Sequence, residues 1–475
     1  MAVCHVGLLA LALVLPAQAQ PAAPVEALVA EGLAANPTLA RFAASADAAS
    51  AGAGAARAAF GPTVGVEARG TVAGGGRTID LPLGELLNPV YETLDGLRAQ
   101  DGLPPAFPRL EDETIPLART EADVRLVAEQ PVFVPALGAG LRAARAQEAA
   151  AAAARDAYAA ELSGAIRAAY WRYRGAEQGV EVQRAAARRV AEVQRRAARE
   201  RAAGAGLRVS VVRASAEALA VDADLREAER AQTLALAALN RLVGRPLDAP
   251  APEAGAPPVE LPTGALVVTA ASEPSRSLSA EALGDRAIAR RAELAALGAA
   301  VDARDAAVGA ARAGFLPTFG VRVDVGASGG TDALDDPFVA ASGVIRWRPF
   351  GSAGDRARVA QARAERAAAE AERAAAEADI RLQVRDAYER LAVAHADLRF
   401  AGERVALGAE GFRLTTRLAS LGDANQTDVV DAQSTLTQAE LAEAAARFEL
   451  LARLAELEAA VGEPLRLGST STAAR

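Results

Sequence analysis

The sequence predicts a duplicated, mostly α-helical chain in which each copy also carries a pair of β-strands. Three observations predict it. A shift of about 218 positions lays the stretch from Pro131 to Leu247 onto a second copy of itself without a gap. Pro131 falls on Pro349, Arg167 on Arg385, Tyr170 on Tyr388, Gly204 on Gly422, Gly244 on Gly462 and Pro246-Leu247 on Pro464-Leu465. Each copy is built largely of long Ala/Arg/Glu-rich runs without proline, the composition of long helices and coiled coils. Four short segments instead alternate apolar with polar or tiny residues, the period of a strand.

With 475 residues the chain has the length of two or three ordinary domains. Its formal net charge of -8 gives no reason to expect nucleic acid as a partner. Every basic residue is Arg and none is Lys, a usage we assign to genomic base composition. Without Lys there is neither a phosphate-loop lysine nor a Schiff base. Residues 1–19 read as a secretory signal peptide, with an apolar run from Val6 to Leu15 before Ala17-Gln18-Ala19. Cys4 lies ahead of that run, so the processed chain would hold no thiol and His395 as its one histidine. Cysteine chemistry and a usual zinc cluster are thereby excluded, and we expect no cofactor, no metal and no enzyme activity.

The first repeat spans residues 20–247. A helix over 24–59 is expected, broken at Asn36-Pro37, where proline suits a first turn. It ends at Phe60-Gly61-Pro62-Thr63-Val64-Gly65-Val66, and the same motif returns about 255 positions on as Phe315-Leu316-Pro317-Thr318-Phe319-Gly320-Val321. The two offsets differ by about 37 residues, so the first copy carries an insertion around Gly75–Glu113, rich in Pro, Gly and Leu, which reads as a long loop. Strands are expected on either side, around Val64–Ala68 and Asp123–Glu129. A long helix from Leu141 to Ala203 follows, about 95 Å if straight. It stops at Gly204-Ala205-Gly206, and a shorter helix returns to Val243-Gly244.

Residues 248–280, rich in Pro, Ala and Ser, read as a linker. The second repeat, 281–465, runs through the same order. Strands are expected over Phe319–Gly326 and Gly343–Arg348, then a helix from Arg356 to Leu421, a stop at Gly422-Asp423-Ala424 and a return helix to Val461-Gly462. On the long helix Val384, Leu391, Leu398, Val405 and Phe412 recur every seventh residue, with Tyr388, His395, Gly402 and Ala409 between them. That period predicts a left-handed supercoil with a thin, closely packed seam. Residues 466–475 read as a tail. Alternation over about ten residues fits a tilted transmembrane β-strand and equally a strand of a soluble antiparallel sheet.

One acidic pair stands out. Asp428 and Asp431 follow the second hairpin tip three residues apart, on one helix face. Helix capping accounts for such acids as well as a binding role does. The first copy has Ser210 and Arg213 at the matching places, so the pair is peculiar to the second hairpin.

In this order and spacing the motifs resemble the TolC family of bacterial outer-membrane efflux channels. The residues that carry the resemblance are the duplicated Phe-x-Pro-Thr-x-Gly-Val, Arg348-Pro349-Phe350-Gly351, Asp428-Val429-Val430-Asp431-Ala432 after Gly422, and the Val-Gly-x-Pro-Leu that closes each copy. The resemblance covers essentially the whole chain after the signal peptide. It implies a mostly α fold with a transmembrane β-barrel: a homotrimer pooling four strands per protomer into a 12-stranded barrel among outer-membrane lipid, with an α-barrel reaching into the periplasm. It implies an export duct of a tripartite efflux or type I secretion system, working with a periplasmic adaptor (membrane fusion) protein and an inner-membrane pump. It carries Asp428 and Asp431 over as a pore constriction whose ring of carboxylates attracts cations. The hairpin tips Gly204, Gly206, Leu207, Gly422, Asp423 and Ala424 become candidate adaptor-docking points. The chain departs from the pattern at Ala419 and Ala424, which occupy the places of the best-known member's gate tyrosine and arginine. The alternative is a soluble periplasmic coiled-coil adaptor or scaffold, but that needs one hairpin, whereas here each of two hairpins comes with its own strand pair.

Overall fold

The computed structural model describes residues 24–72, 78–116, 120–204, 207–252, 261, 266–329, 336–348, 353–421 and 423–469. The expected signal peptide lies outside them, as do Gly206, Gly422 and Pro349. The chain forms two compact units, and these do not follow the repeat boundaries. One comprises residues 51–145 and 303–366; the other takes residues up to Ser50, Ala146–Asp302 and Ala367 onward. Each unit therefore contains parts of both repeats.

The first unit is built on a four-stranded antiparallel sheet. Its strands are β1 (Thr63–Val72), β4 (Thr120–Phe133), β7 (Thr318–Gly329) and β8 (Asp336–Arg346), in the order β1-β4-β7-β8. All four expected strands are present. Val66 faces Leu126, Leu126 faces Val325 and Val325 faces Val339, so the apolar residues of the four strands share one side. A bulge between Pro131 and Phe133 absorbs the proline, which cannot donate to the ladder.

The described part of the insertion is not a loop. It holds β2 (Thr78–Leu81), helix α3 (Leu83–Gln100) and β3 (Glu113–Pro116), with β2 and β3 paired. What holds α3 is the segment that returns from it. Asp112 Oδ1 accepts from the backbone N–H of Gly84 (3.0 Å) and Glu85 (3.3 Å), so a carboxylate 28 residues away caps the helix start. Asn88 bonds both ways with Leu110, at 2.7 and 2.8 Å. Its glycines and proline suggest a loop, but these distant partners supply the bonds that local sequence does not.

The second unit is mostly helical, and each repeat contributes one large apolar core to it. Helices α1 (Pro24–Ala35) and α2 (Pro37–Ala58) are split at Asn36, whose side chain accepts from Thr38 and Leu39 N–H and donates to the Leu242 carbonyl at 2.9 Å. The first hairpin is α4 (Pro135–Ala202) and α5 (Arg208–Val243). Between repeats, β5 (Leu266–Ala270) and β6 (Glu273–Ser277) precede α6 (Ala280–Arg290) and α7 (Ala292–Ala313). The second hairpin is α8 (Ala353–Leu421) and α9 (Gln426–Val461), followed by β9 (Leu465–Ser469). Segments read as linker and tail thus include strands: β5 pairs with β6 and, antiparallel, with β9.

The two cores are built from equivalent positions. Leu28, Leu162, Ile166, Leu239 and Val243 in the first correspond to Leu283, Ile380, Val384, Leu457 and Val461 in the second, and all are buried. Val384, Leu391 and His395 bury the seam of α8, whereas Ala409, nearer the tip, is exposed. Each return helix ends on a glycine in the left-handed region, Gly244 at φ 87° and Gly462 at φ 80°, which explains the shared Val-Gly-x-Pro-Leu. The x position ties the return helix to the first helix of its repeat, with opposite polarity in the two copies. Arg245 pairs with Glu31 of α1, whereas Glu463 pairs with Arg286 and Arg290 of α6. Glu31 and Arg286 are equivalent residues.

These ties differ in burial. The Glu463 side chain is 5% exposed against 41% for Glu31. Glu463→Ala is expected to cost about 3 kcal/mol by removing a buried carboxylate that two guanidinium groups share, and Arg245→Ala about 1 kcal/mol; denaturant unfolding of the detergent-solubilised protein measures both. Close by, burial is the largest influence raising Glu458 above the usual carboxylate range, with the Glu26 carboxylate adding to it, while the Leu465 N–H and Arg167 oppose. A raised native pKa means the folded state takes up a proton more readily than the unfolded chain. Stability from this group therefore grows as pH falls through the native pKa. Glu458→Gln keeps an acceptor for Leu465 N–H. It should unfold at higher temperature than the wild type near about pH 8, and the gap should close near about pH 5.

Candidate functional site

Two places concentrate chemistry: the faces of the four-stranded sheet, and the ends of the two helical hairpins.

One face of the sheet is apolar and open. Val66, Val339 and Ile345 are 72%, 75% and 71% exposed, and Val64, Leu126 and Val325 join them. Large apolar side chains exposed on every strand of a sheet mark a surface that meets something other than water. The opposite face carries ions. Arg322 on β7 reaches Glu129 on β4 (2.8 Å), Glu67 on β1 (3.2 Å) and Asp324 on its own strand (2.9 Å). Arg125 on β4 reaches Asp123 (3.0 Å) and Glu67 (3.4 Å). The network links three strands by charge of alternating sign. Sequence alternation put these residues on one side, but not their pairing, which needs the strand order. Among the described residues the edges of the sheet are β1 and β8, each paired on one side only.

At the second hairpin end, Asn425 caps α9. Its side-chain oxygen accepts from Thr427 N–H (2.8 Å) and Asp428 N–H (3.1 Å), and Asp428 Oδ2 accepts from Asn425 N–H (2.8 Å). This is a reciprocal capping box, so the Asp428 carboxylate closes its own helix start. Asp431, one turn on, is exposed and opens onto a groove shared with Ser210, Arg213, Glu217, Thr427 and Val430. Arg213 donates to the hydroxyl of Thr427, joining α5 to α9. The structure thus gathers Asp431 with Ser210 and Arg213, the residues that stand in the first repeat where the acids stand in the second. Repeat alignment identified these three positions; that they meet in one groove was not legible. The first hairpin turns at Gly204, φ 78°, and α5 begins after Leu207, which is 70% exposed. On the second, Asp423 N–H donates to the Leu418 carbonyl (3.0 Å) and ends α8. Ala419 and Ala424 are half-buried beside it. Gly206 and Gly422 lie outside the described residues.

Among the described residues no helix is long and apolar enough to cross a membrane. Among them, too, no group of three or more His, Cys, Asp or Glu residues could hold a metal ion.

Residues 283–463, the second repeat almost end to end, match the family model described as Outer membrane efflux protein. Comparison with curated proteins gives no match. Solved structures share the fold. The outer-membrane channel OprN is 19% identical, with 93% of this chain and 90% of that one covered at a TM-score of 0.72. CusC is 16% identical, with 95% and 99% covered at 0.73. The outer membrane protein VceC from Vibrio cholerae is 20% identical, with 93% and 96% covered at 0.69. The fold expected from the motifs is borne out, and the second repeat matches the model of the family that the motifs resemble.

The two acids are expected to behave differently on truncation. Asp428→Ala removes half of a capping box and should cost about 1 kcal/mol. Asp431→Ala should change stability by less than about 0.5 kcal/mol. Chemical unfolding distinguishes them, and equal losses would contradict the capping role.

Proposed function

We propose, from the premise that residues 283–463 are an outer membrane efflux protein domain in a chain with the fold of outer-membrane channels, that the protein is the exit duct of a tripartite efflux or type I secretion system. It catalyses no reaction, and its place is the outer membrane. One observation carries the reading: the sheet has an apolar face exposed on all four strands, an ion-paired face opposite, and two open edges. An open edge in a bilayer leaves backbone groups without partners, each costing several kcal/mol, so a spanning sheet must close. Three copies joined β8 to β1 close it as a 12-stranded barrel, with the apolar face toward lipid and the charged face toward a water-filled lumen.

The rest of the assembly follows from the same reading. The hairpins reach into the periplasm. Their ends, with exposed Leu207 on one and Asp423 on the other, are offered to the helical hairpins of a periplasmic adaptor, which connects the duct to an inner-membrane pump. Asp428 and Asp431 form the acidic constriction. Asp431 is the one whose carboxylate is not part of the capping box, so it is the acid that acts on passing ions. Arg213, in the same groove, offsets part of its charge.

Single-channel recording in planar bilayers tests the proposal. The purified protein should conduct, and a trivalent cation added on the hairpin side should block the current. Asp431→Ala should weaken that block about tenfold, or about 1.4 kcal/mol. An unaltered block would take Asp431 out of the conduction path. Absence of conductance, together with extraction from membranes without detergent, would sink the channel reading itself.

A further inference from the structure

The insertion between β1 and β4 carries a helix that turns polar residues toward the protein and apolar ones away from it. Along α3, Asn88 bonds both ways with Leu110, Asp95 Oδ1 accepts from Ala106 N–H (2.8 Å), and Arg98 Nε donates to the Pro104 carbonyl (3.2 Å). Tyr91 packs on Phe107 with ring centroids 5.1 Å apart. All these partners lie on the segment that returns from the helix. Leu86, Leu87, Val90, Leu94 and Leu97 are left on the outside, and all are exposed. At the helical period they fall within an arc of about 100°, one continuous stripe. The β2–β3 ribbon at the root of the insertion adds Ile79 and Ile115, opposite one another in the register and exposed as well. Large apolar side chains grouped in this way mark a surface that another body covers.

Charge limits what that body is. Residues 78–116 hold eight acidic side chains against two arginines. A helix that lies on a bilayer carries Lys or Arg on its polar face, toward anionic headgroups, whereas α3 carries Glu85 and Glu92, both exposed. A basic partner is no better served. Spacing puts both glutamates on the side of α3 away from the stripe, where a ligand seated on the leucines does not reach them. The surface that fits is uncharged and as apolar as the stripe itself, and every further copy of this chain has one.

Topology supplies the place. β1 begins after α2 and β4 runs on into α4, so the insertion leaves the sheet at the opposite ends of these strands. In the closed barrel proposed above, that end is the outer mouth. Twelve strands about 4.8 Å apart and tilted by about 40° form a ring about 24 Å across. Three helices about 10 Å thick, packed side by side, fill a circle about 22 Å across. We infer that the three copies of α3 meet on the axis of the trimer, stripe against stripe, as an apolar plug over the outer mouth, with their glutamates turned to solvent. The inference rests on the trimeric duct of the proposed function. It adds a second constriction, at the other end from Asp431 and apolar where that one is acidic.

Single cysteines test it in the full-length protein, in a Cys4→Ser background, in detergent and again in liposomes. Val90, Leu97 and Glu92 are all exposed positions, and light scattering in detergent reports first whether each variant is a trimer. With a short bis-maleimide, Val90→Cys and Leu97→Cys should each shift the band of single chains to that of dimers on a denaturing gel, since a two-armed reagent joins two of three cysteines around an axis. Glu92→Cys, on the far side of the same helix, should stay a single chain. A water-soluble maleimide should label Glu92→Cys in full and the stripe cysteines slowly, in both media. Trimers whose stripe cysteines do not link, or link no more than Glu92→Cys, overturn the plug and leave the barrel standing. In that event, shielding in liposomes alone gives the stripe to lipid, and labelling as free as that of Glu92→Cys in both media gives it to a foreign partner. Chains that are monomeric and do not link overturn the plug and the duct together.

Discussion

A four-stranded sheet that is apolar on one face, charged on the other and unpaired at both edges cannot be a finished object in water. Every strand exposes valine, leucine or isoleucine to one side, and the outer edges of β1 and β8 have no strand beside them among the described residues. Burial in hydrocarbon satisfies the first condition, and pairing with further copies satisfies the second. The ion pairs around Arg322 then have a natural setting, since charges that would be costly against lipid face a solvated interior. On the proposed reading the single chain is a fraction of a structure, and its remaining features are intelligible as provisions for assembling the whole.

Duplication supplies those provisions in the helical unit. The two cores use the same positions with different residues: Leu162 and Ile380, Ile166 and Val384, with Leu239 and Leu457 unchanged. Apolar character is kept while identity drifts, by an isomeric exchange at Leu162 and Ile380 and by the loss of one methylene from Ile166 to Val384. The polar ties have diverged more sharply, since the first repeat places the acid on its first helix and the second places it after the return helix. The hairpin ends have diverged most. Asp431 and Arg213 occupy equivalent positions yet carry opposite charge, and they share one groove.

Much of this was legible in the sequence because the chain is written twice. The strands were found by alternation, and a second instance supported each. The glycines that end the return helices were predicted as stops and adopt the left-handed turn that only such a residue accepts readily. What was missed depends on contacts between distant residues. Helix α3 is capped by Asp112 from beyond its far end, and β9 pairs with β5 from across the second repeat, so no local pattern announced either. The capping box at Asn425 and Asp428 is a local signal that was available. The exposed stripe of Val393, Phe400, Leu407, Leu414 and Leu421 on α8 was hidden for another reason. Val384, Leu391 and Leu398 share its seven-residue spacing, and periodicity alone cannot say which of two parallel stripes faces the core and which faces out.

The reversed charge at the ends of the return helices has a consequence for how such a gene can change. Two similar halves in one reading frame invite recombination between them. A crossover that joined the first helix of one half to the return helix of the other would set Glu31 against Glu463, or Arg286 against Arg245. Either product would hold like charges face to face where the native chain holds an ion pair, in one case around a carboxylate that is almost fully buried. The duplicated halves have in this way become mutually incompatible at one joint, and a chain that depends on having two unequal copies is protected from losing the difference.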